Sequence, residues 1–150
     1  MPREQVALLP LLRETAAGLE ASAQEKKVTL EVAGEDCVVS AVPRLLGEIA
    51  FNLMDNAIRY NVPGGSVTAS CRREGTGAVL TVSDTGIGIP PEHINRVFER
   101  FYRVDKSHSR ASGGTGLGLA IVKHASQIQG AEIHLESTPG KGTTVTVTFP

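Results

Sequence analysis

The stretch GEIAFNLMDNAIRYN, residues 47–61, combines a broad apolar helical face with polar side chains along its border. At 100° per residue its aliphatic side chains gather on one side, which predicts a helix packed on a core. Asn52, Asn56 and Tyr60 are spaced by four along that border, and Arg59 lies within a turn of Asn56. Asparagine is a poor helix former. The two amides therefore either hydrogen-bond to nearby backbone or water, or face a cavity and bind a hard cation such as Mg2+ beside phosphates.

A second polar stretch, DTGIGIP at residues 84–90, follows a predicted strand. Asp84 leaves the sheet there, while Gly86 and Gly88 let the chain pass closely beside its neighbours. One interpretation is a simple Asp-x-Gly turn. The other is a carboxylate that accepts a hydrogen bond from an exocyclic amino group. Such a site favours adenine over guanine, because guanine presents a carbonyl in that place.

Alternating glycines in GGTGLGLAIVKH, residues 113–124, run into an apolar helical pattern. The stretch is not a P-loop, which needs Gly-Lys-Ser/Thr, and its spacing is not that of a dinucleotide-binding loop. Backbone amides at the start of a helix suit a polyphosphate. A glycine-rich hinge without a ligand is the alternative.

The segment VFERFYRVD, residues 97–105, mixes aromatic and arginine side chains next to a polar run at 102–115. Phe98 and Phe101 are expected to pin this loop to the body of the domain. Arg100 and Arg103 have the fork geometry that binds phosphate oxygens. Small polar residues without periodicity predict a mobile loop.

The remaining pattern groups strands in pairs, with helices between them. Helices are predicted over residues 4–25, 43–61, 91–97 and 116–129, and strands over 28–32, 37–42, 66–74, 77–84, 131–137 and 143–149. The strands are expected to pair in chain order, the first two around Gly34-Glu35-Asp36. This predicts an α+β two-layer sandwich in which helices cover one face of a mostly antiparallel, mixed sheet.

Composition narrows the class further. The 150 residues, 41% hydrophobic and 21% charged, fit one globular domain, and a net charge of -1 gives no electrostatic case for a nucleic-acid partner. No apolar run approaches the roughly 18–20 residues that span a bilayer. The two cysteines, Cys37 and Cys71, are expected to be buried thiols.

Five motifs in this order resemble the catalytic ATP-binding domain of bacterial sensor histidine kinases, within the wider GHKL group of gyrase, Hsp90 and MutL. They are an N-box (EIAFNLMDNAIRY), a G1 box (DTGIGIP), an F-box (FERFYR), a G2 box (GGTGLGLAIVK) and a closing GKGTTVTVTF. The F-box distinguishes this subfamily from gyrase-like ATPases and anti-sigma serine kinases. The resemblance implies a Bergerat fold over residues 1–150, with a five-stranded mixed sheet under three helices and a flexible ATP lid at about 98–115.

The resemblance also implies roles at a Mg-ATP site. Asn56 would be the Mg2+ ligand, Asn52 would lie near the metal and phosphates, and Arg103 would reach the terminal phosphate from the lid; these three form the implied catalytic set. Asp84 would accept from the adenine amino group. Other implied ATP contacts are Arg59, Tyr60, Gly86, Gly88, Ile89, Tyr102, Gly114, Thr115, Gly116, Leu117, Gly118, Leu119 and Thr144.

The phosphoacceptor is the part of the family pattern that this sequence lacks. The family acceptor is a histidine followed by an acidic residue, whereas His93, His108, His124 and His134 are each followed by another type. The resemblance therefore implies a catalytic domain that cannot autophosphorylate alone and acts on a separate dimerisation domain, with a response regulator further downstream. It also implies a monomeric fragment in the cytoplasmic part of a membrane-anchored sensor. The alternatives are an ATP-binding module without transfer, a GHKL-type ATPase or an anti-sigma serine kinase.

Overall fold

The computed structural model describes residues 2–99 and 118–150. Strands in these residues are β1 (Glu4–Ala7), β2 (Thr29–Gly34), β3 (Val38–Ala41), β4 (Ser66–Glu74), β5 (Gly77–Asp84), β6 (Glu132–Thr138) and β7 (Gly142–Phe149). The α-helices in the same part of the chain are α1 (Leu8–Lys26), α2 (Pro43–Arg59) and α3 (Gly118–Ile128). A single 3-10 turn, Pro91–His93, stands where a helix over 91–97 was predicted.

The main sheet has five strands in the order β2-β4-β5-β7-β6. The β2–β4 pair is parallel and the other pairs are antiparallel. The helices pack on one face of this sheet, and α2 contacts β4 and β5 near its centre. The predicted two-layer sandwich with a mixed five-stranded sheet and three helices is therefore confirmed.

The N-terminal segment differs from the prediction. Residues 4–25 were expected to be one helix, but β1 pairs antiparallel with β3 in a separate two-stranded sheet, and α1 begins only at Leu8. Pro10 accounts for this boundary. It lies in the first turn of α1, where its missing N–H has no helical partner to lose, whereas a helix from Glu4 would place it in the interior.

The predicted hairpin between β2 and β3 is wrong, although both strands exist. β2 pairs with β4, and Glu35 N donates to Cys71 O at 3.0 Å. The Glu35 carboxylate also accepts from Arg73 N at 2.6 Å. These bonds hold the segment after Gly34 (φ +119°) against β4, so the chain does not fold back on β2.

The core lies between the sheet and the helices. α2 contributes eight buried side chains to it, and Ile49 and Met54 have no exposed surface. Burying side chains of this size stabilises a fold by about 1.5–3 kcal/mol each. Cys37 and Cys71 are free thiols within this core, and burial together with the neighbouring Cys37 thiol raises the pKa of Cys71 to about 12.

None of the helices in residues 2–99 and 118–150 has the length and apolar character required to cross a membrane. The predicted lid lies almost wholly outside the described residues, which end at Glu99 and resume at Gly118. α3 is described from Gly118, two residues into the helix predicted over 116–129.

Candidate functional site

Asp84 is the last residue of β5, on the sheet face that the helices cover. Its Oδ1 accepts hydrogen bonds from the backbone of Gly86 at 2.8 Å and of Thr143 at 3.2 Å. Burial raises the pKa of the Asp84 carboxyl above its ordinary value, and the two backbone hydrogen bonds oppose that shift. The carboxylate is thus fixed in direction and has a second oxygen with which to accept from a ligand.

Close backbone contacts build the wall around Asp84, and they require glycine. A Cβ on Gly86 would meet the Tyr60 carbonyl, and a Cβ on Gly88 (φ +74°) would meet the Thr138 carbonyl. Ile87 N donates to Tyr60 O at 3.0 Å, and Ile89 N donates to Ser137 Oγ at 2.7 Å. The turn after β5 therefore joins the C-terminal end of α2 to the β6–β7 hairpin.

The strand register separates Thr144 from Asp84. Thr144 pairs with Ser83, and their hydroxyls lie 2.9 Å apart on the sheet face away from the helices. Thr143 pairs with Asp84 and shares its face. The family resemblance implied that Thr144 contacts the base, but its side chain lies on the face opposite Asp84. Thr143 takes its place as the candidate, and only the β5–β7 register distinguishes the two threonines.

The asparagines of α2 lie at the border of its buried face and are partly buried, as the helical spacing predicts. Asn52 Nδ2 donates to the Glu48 carbonyl one turn earlier, at 2.7 Å, which leaves its amide oxygen as an acceptor. Within residues 2–99 and 118–150, the Asn56 side chain makes no hydrogen bond. Asn52 thus makes the local backbone bond that one interpretation predicts, whereas Asn56 makes none in this part of the chain.

Gly118 brings the start of α3 against Asn56. A Cβ on Gly118 would lie 2.9 Å from Asn56 Nδ2 and 3.3 Å from Oδ1, closer than ordinary packing allows. Leu119, the next residue, is partly buried against the core. The last glycine of the GGTGLGLAIVKH stretch thus touches the side chain that the sequence proposed as a metal ligand.

Arg59 and Tyr60 close the C-terminal end of α2. Arg59 Nε donates to Asp55 Oδ2 at 2.7 Å, an i,i+4 ion pair that was not predicted. Tyr60 caps the helix, and its side chain is 36% exposed, near the turn after β5. Tyr102, Arg103, Gly114, Thr115, Gly116 and Leu117 lie outside the described residues.

Asn61 supports the site without having been predicted. It is 5% exposed, its Nδ2 donates to Ser66 O at 3.0 Å, and its Oδ1 accepts from Val62 N at 2.8 Å. A polar residue directly after a long helix is a cap signal that sequence alone offers. These bonds fix the exit of α2 against the start of β4.

The donor chemistry at Asn56 fits a hard cation. Mg2+ prefers oxygen ligands and takes most of its shell from water and phosphate oxygens, so the protein supplies only a few of them. The partly exposed Asn56 amide can supply such an oxygen ligand. Among the described residues, no three histidine, cysteine, aspartate or glutamate side chains form a metal-binding group.

Residues 41–150 match the family described as histidine kinase-, DNA gyrase B-, and HSP90-like ATPase. The sensor-like histidine kinase SenX3 of Mycolicibacterium smegmatis is 52% identical over 99 residues, covering 66% of this chain and 26% of SenX3. The phosphate regulon sensor protein PhoR of Pseudomonas aeruginosa is 40% identical over 143 residues, covering 95% of this chain and 32% of PhoR. The chain thus spans only about a quarter to a third of these relatives.

A solved structure agrees over almost the whole chain. The mycobacterial sensor histidine kinase MprB is 30% identical with a TM-score of 0.81, and the match covers 98% of this chain and 97% of the MprB chain.

Proposed function

Because the chain belongs to the histidine kinase-, DNA gyrase B- and HSP90-like ATPase family and its relatives are sensor histidine kinases, we propose that it binds Mg-ATP and donates the γ-phosphoryl group to a histidine of a dimerisation domain in the same parent protein. One observation carries the proposal beyond family membership. The Asp84 carboxylate, which accepts from Gly86 N, lies on the helix-covered side of the sheet, and the Asn56 amide projects from the helix that packs on that side, next to Gly118 at the start of α3.

The Asp84 end of the site would bind adenine. The carboxylate accepts from the exocyclic amino group, and the Gly86 and Gly88 turn lets the base approach the backbone. A guanine carbonyl in the same position would face the carboxylate unpaired, which costs affinity. Tyr60, Ile89 and Thr143 complete this end.

The Asn56 end of the site would bind the phosphates and the metal. Asn56 would hold Mg2+, with Asn52 beside it, and the ion when bound would neutralise phosphate charge. The triphosphate would be oriented by Arg59, by the start of α3 at Gly118 and Leu119, and by the preceding Tyr102, Arg103 and residues 114–117. Phosphoryl transfer depends mainly on positioning and charge neutralisation, so this domain needs no nucleophile of its own.

The acceptor histidine comes from elsewhere in the parent protein. A nitrogen of its imidazole attacks the γ-phosphorus, the bond from that phosphorus to the bridging oxygen breaks, and ADP leaves. Within this chain, His93 lies in a 3-10 turn, His124 is exposed on α3 and His134 is exposed on β6. None of these three is followed by an acidic residue. A response regulator would receive the phosphoryl group next, and the parent sensor would be anchored in a membrane with this domain in the cytoplasm.

Transfer in trans tests the proposal. The chain is mixed with [γ-32P]ATP, Mg2+ and the separately expressed dimerisation domain of its parent. We expect acid-labile, base-stable label on the dimerisation domain and none on this chain alone. Nucleotide binding without any label transfer would favour an ATP-binding module. Rapid ADP release by the chain alone would favour a GHKL-type ATPase, and acid-stable label on a protein serine would favour a serine kinase.

A further inference from the structure

We propose that Asp55 is a positioning residue, which holds the Arg59 guanidinium in the orientation that binds the triphosphate. This inference rests on the proposed function and adds a residue to its phosphate end. Asp55 Oδ2 lies 2.7 Å from Arg59 Nε, one turn apart on α2. The Asp55 side chain is 19% exposed and that of Arg59 is 34% exposed, so the pair is partly withdrawn from solvent.

The atom that Asp55 contacts determines what the pair can do. The guanidinium is planar, and a hydrogen bond at Nε fixes the plane and with it the direction of both Nη groups. Those two groups form the fork that matches phosphate oxygens. A carboxylate at Nε therefore orients the fork without occupying the position that faces a phosphate.

The place of Arg59 on α2 directs this fork to the phosphate end. Arg59 follows Asn56 by three residues, which is less than one helical turn and about 4.5 Å along the axis. It lies on the same side of the helix as Asn52 and Asn56. Gly118 packs on Asn56 from the neighbouring helix, so the start of α3 meets α2 within one helical turn of Arg59.

A second arginine–carboxylate pair on the same helix provides a contrast. Arg44 and Glu48 also form an i,i+4 pair, at 2.9 Å, but their side chains are 63% and 38% exposed. Exposed pairs of this kind contribute little to stability. Glu48→Gln is therefore a matched control that removes a carboxylate of α2 without changing the orientation of Arg59.

The charge of Asp55 makes the test directional. A carboxylate that merely stood near the triphosphate would repel it, and its removal would tighten ATP binding or leave it unchanged. A carboxylate that orients Arg59 has the opposite effect, since its removal weakens ATP binding. Adenosine has no phosphate and should not respond in either case.

The experiment is calorimetric titration of the chain with Mg-ATP and with adenosine. We expect Asp55→Asn to weaken ATP about fivefold and to leave adenosine unchanged, whereas Glu48→Gln should change neither. Asp55→Glu should restore part of the loss. In an Arg59→Ala background, Asp55→Asn should cause no further loss, because the group that Asp55 orients is absent.

Three outcomes would overturn the inference. They are unchanged or tighter ATP binding by Asp55→Asn, equal losses for ATP and adenosine, and a full Asp55→Asn effect in the Arg59→Ala background. Asp55→Ser replaces Asp55→Asn if thermal unfolding shows that the latter does not fold. If the wild-type chain binds no ATP, the proposed function fails as well. If the wild-type chain binds ATP but Asp55→Asn has no effect, only the role of Asp55 fails.

Discussion

At the Asp84 end of the candidate site, backbone groups hold the functional side chain, whereas at the Asn56 end the functional side chains project from one helix with few bonds of their own. Asp84 accepts from Gly86 and Thr143, and the adjacent turn bonds to Tyr60 and Ser137. Within the described residues, Asn56 makes no hydrogen bond and Asn52 bonds only to its own helix. The described residues thus hold the Asp84 carboxylate in place, whereas under the proposed function metal and nucleotide would bind the amide oxygens at the Asn56 end.

The largest expected effect comes from disturbing the backbone at the base end. A Cβ on Gly142 (φ +133°) would meet the Asp84 carbonyl, so Gly142→Ala should lower the free energy of unfolding by about 3 kcal/mol or more. Gly140 lies in the same turn at φ +79°, with no atom within 4 Å of an added Cβ. Gly140→Ala should cost only about 1 kcal/mol. Denaturant unfolding compares the two, and equal losses would contradict the close approach.

Asp84→Ala tests the base contact itself. The substitution removes the acceptor and leaves the N–H groups of Gly86 and Thr143 without their carboxylate. We expect both ATP and adenosine to bind about 100-fold more weakly, in line with losing a buried charged hydrogen-bond partner. Calorimetric titration measures both ligands. A loss confined to ATP would place Asp84 at the phosphate end instead.

Asn56→Ala tests the other end and should have a smaller effect. Removing one amide ligand is expected to weaken Mg-ATP about tenfold, while adenosine binds as before. Titrations with and without Mg2+ check this, with Asn56→Asp as a variant that retains an oxygen ligand. The comparison of the two ends fails if Asn56→Ala weakens adenosine as much as Mg-ATP.

The smallest effect is a pH dependence of adenosine binding, which involves the base end alone because adenosine has no phosphate. Burial raises the pKa of Asp84, so its carboxylate becomes protonated at a higher pH than an ordinary aspartate on acidification. Adenosine affinity should therefore fall as the pH is lowered from 7 towards 5. The free energy of unfolding changes in the opposite direction. It should rise on acidification, because burial favours the neutral form of Asp84 in the folded state. Titrations at both pH values check the loss, which should be absent in Asp84→Ala.

The sequence predicts most of the fold because local signals there agree with the tertiary structure. The β4–β5 and β6–β7 hairpins have alternating side chains and glycine turns, and the structure contains both. The partners of β2 and β3 were missed, since the bonds from Glu35 to Cys71 and Arg73 join segments far apart in sequence. Local alternation contains no information about such pairings.

In the candidate site too, the sequence predicts relations within one helix but not contacts between separate elements. Helical spacing places Asn52 and Asn56 correctly at the border of α2, because one helix fixes their relation. Thr143 and Thr144 are adjacent residues of identical type, so only the register with Ser83 and Asp84 decides which one shares the face of the carboxylate. The contact of Gly118 with Asn56 joins two helices and has no sequence signal beyond the glycine itself.

The central claim is that the fold completes the base end and the ligand completes the phosphate end. One set of wild-type titrations tests it most directly, with adenosine and ATP each measured with and without Mg2+. We expect adenosine to bind with the same affinity in both conditions and ATP to bind more tightly when Mg2+ is present. Adenosine binding that depends on Mg2+, or ATP binding that gains nothing from it, would show that the two ends do not divide the ligand in this way.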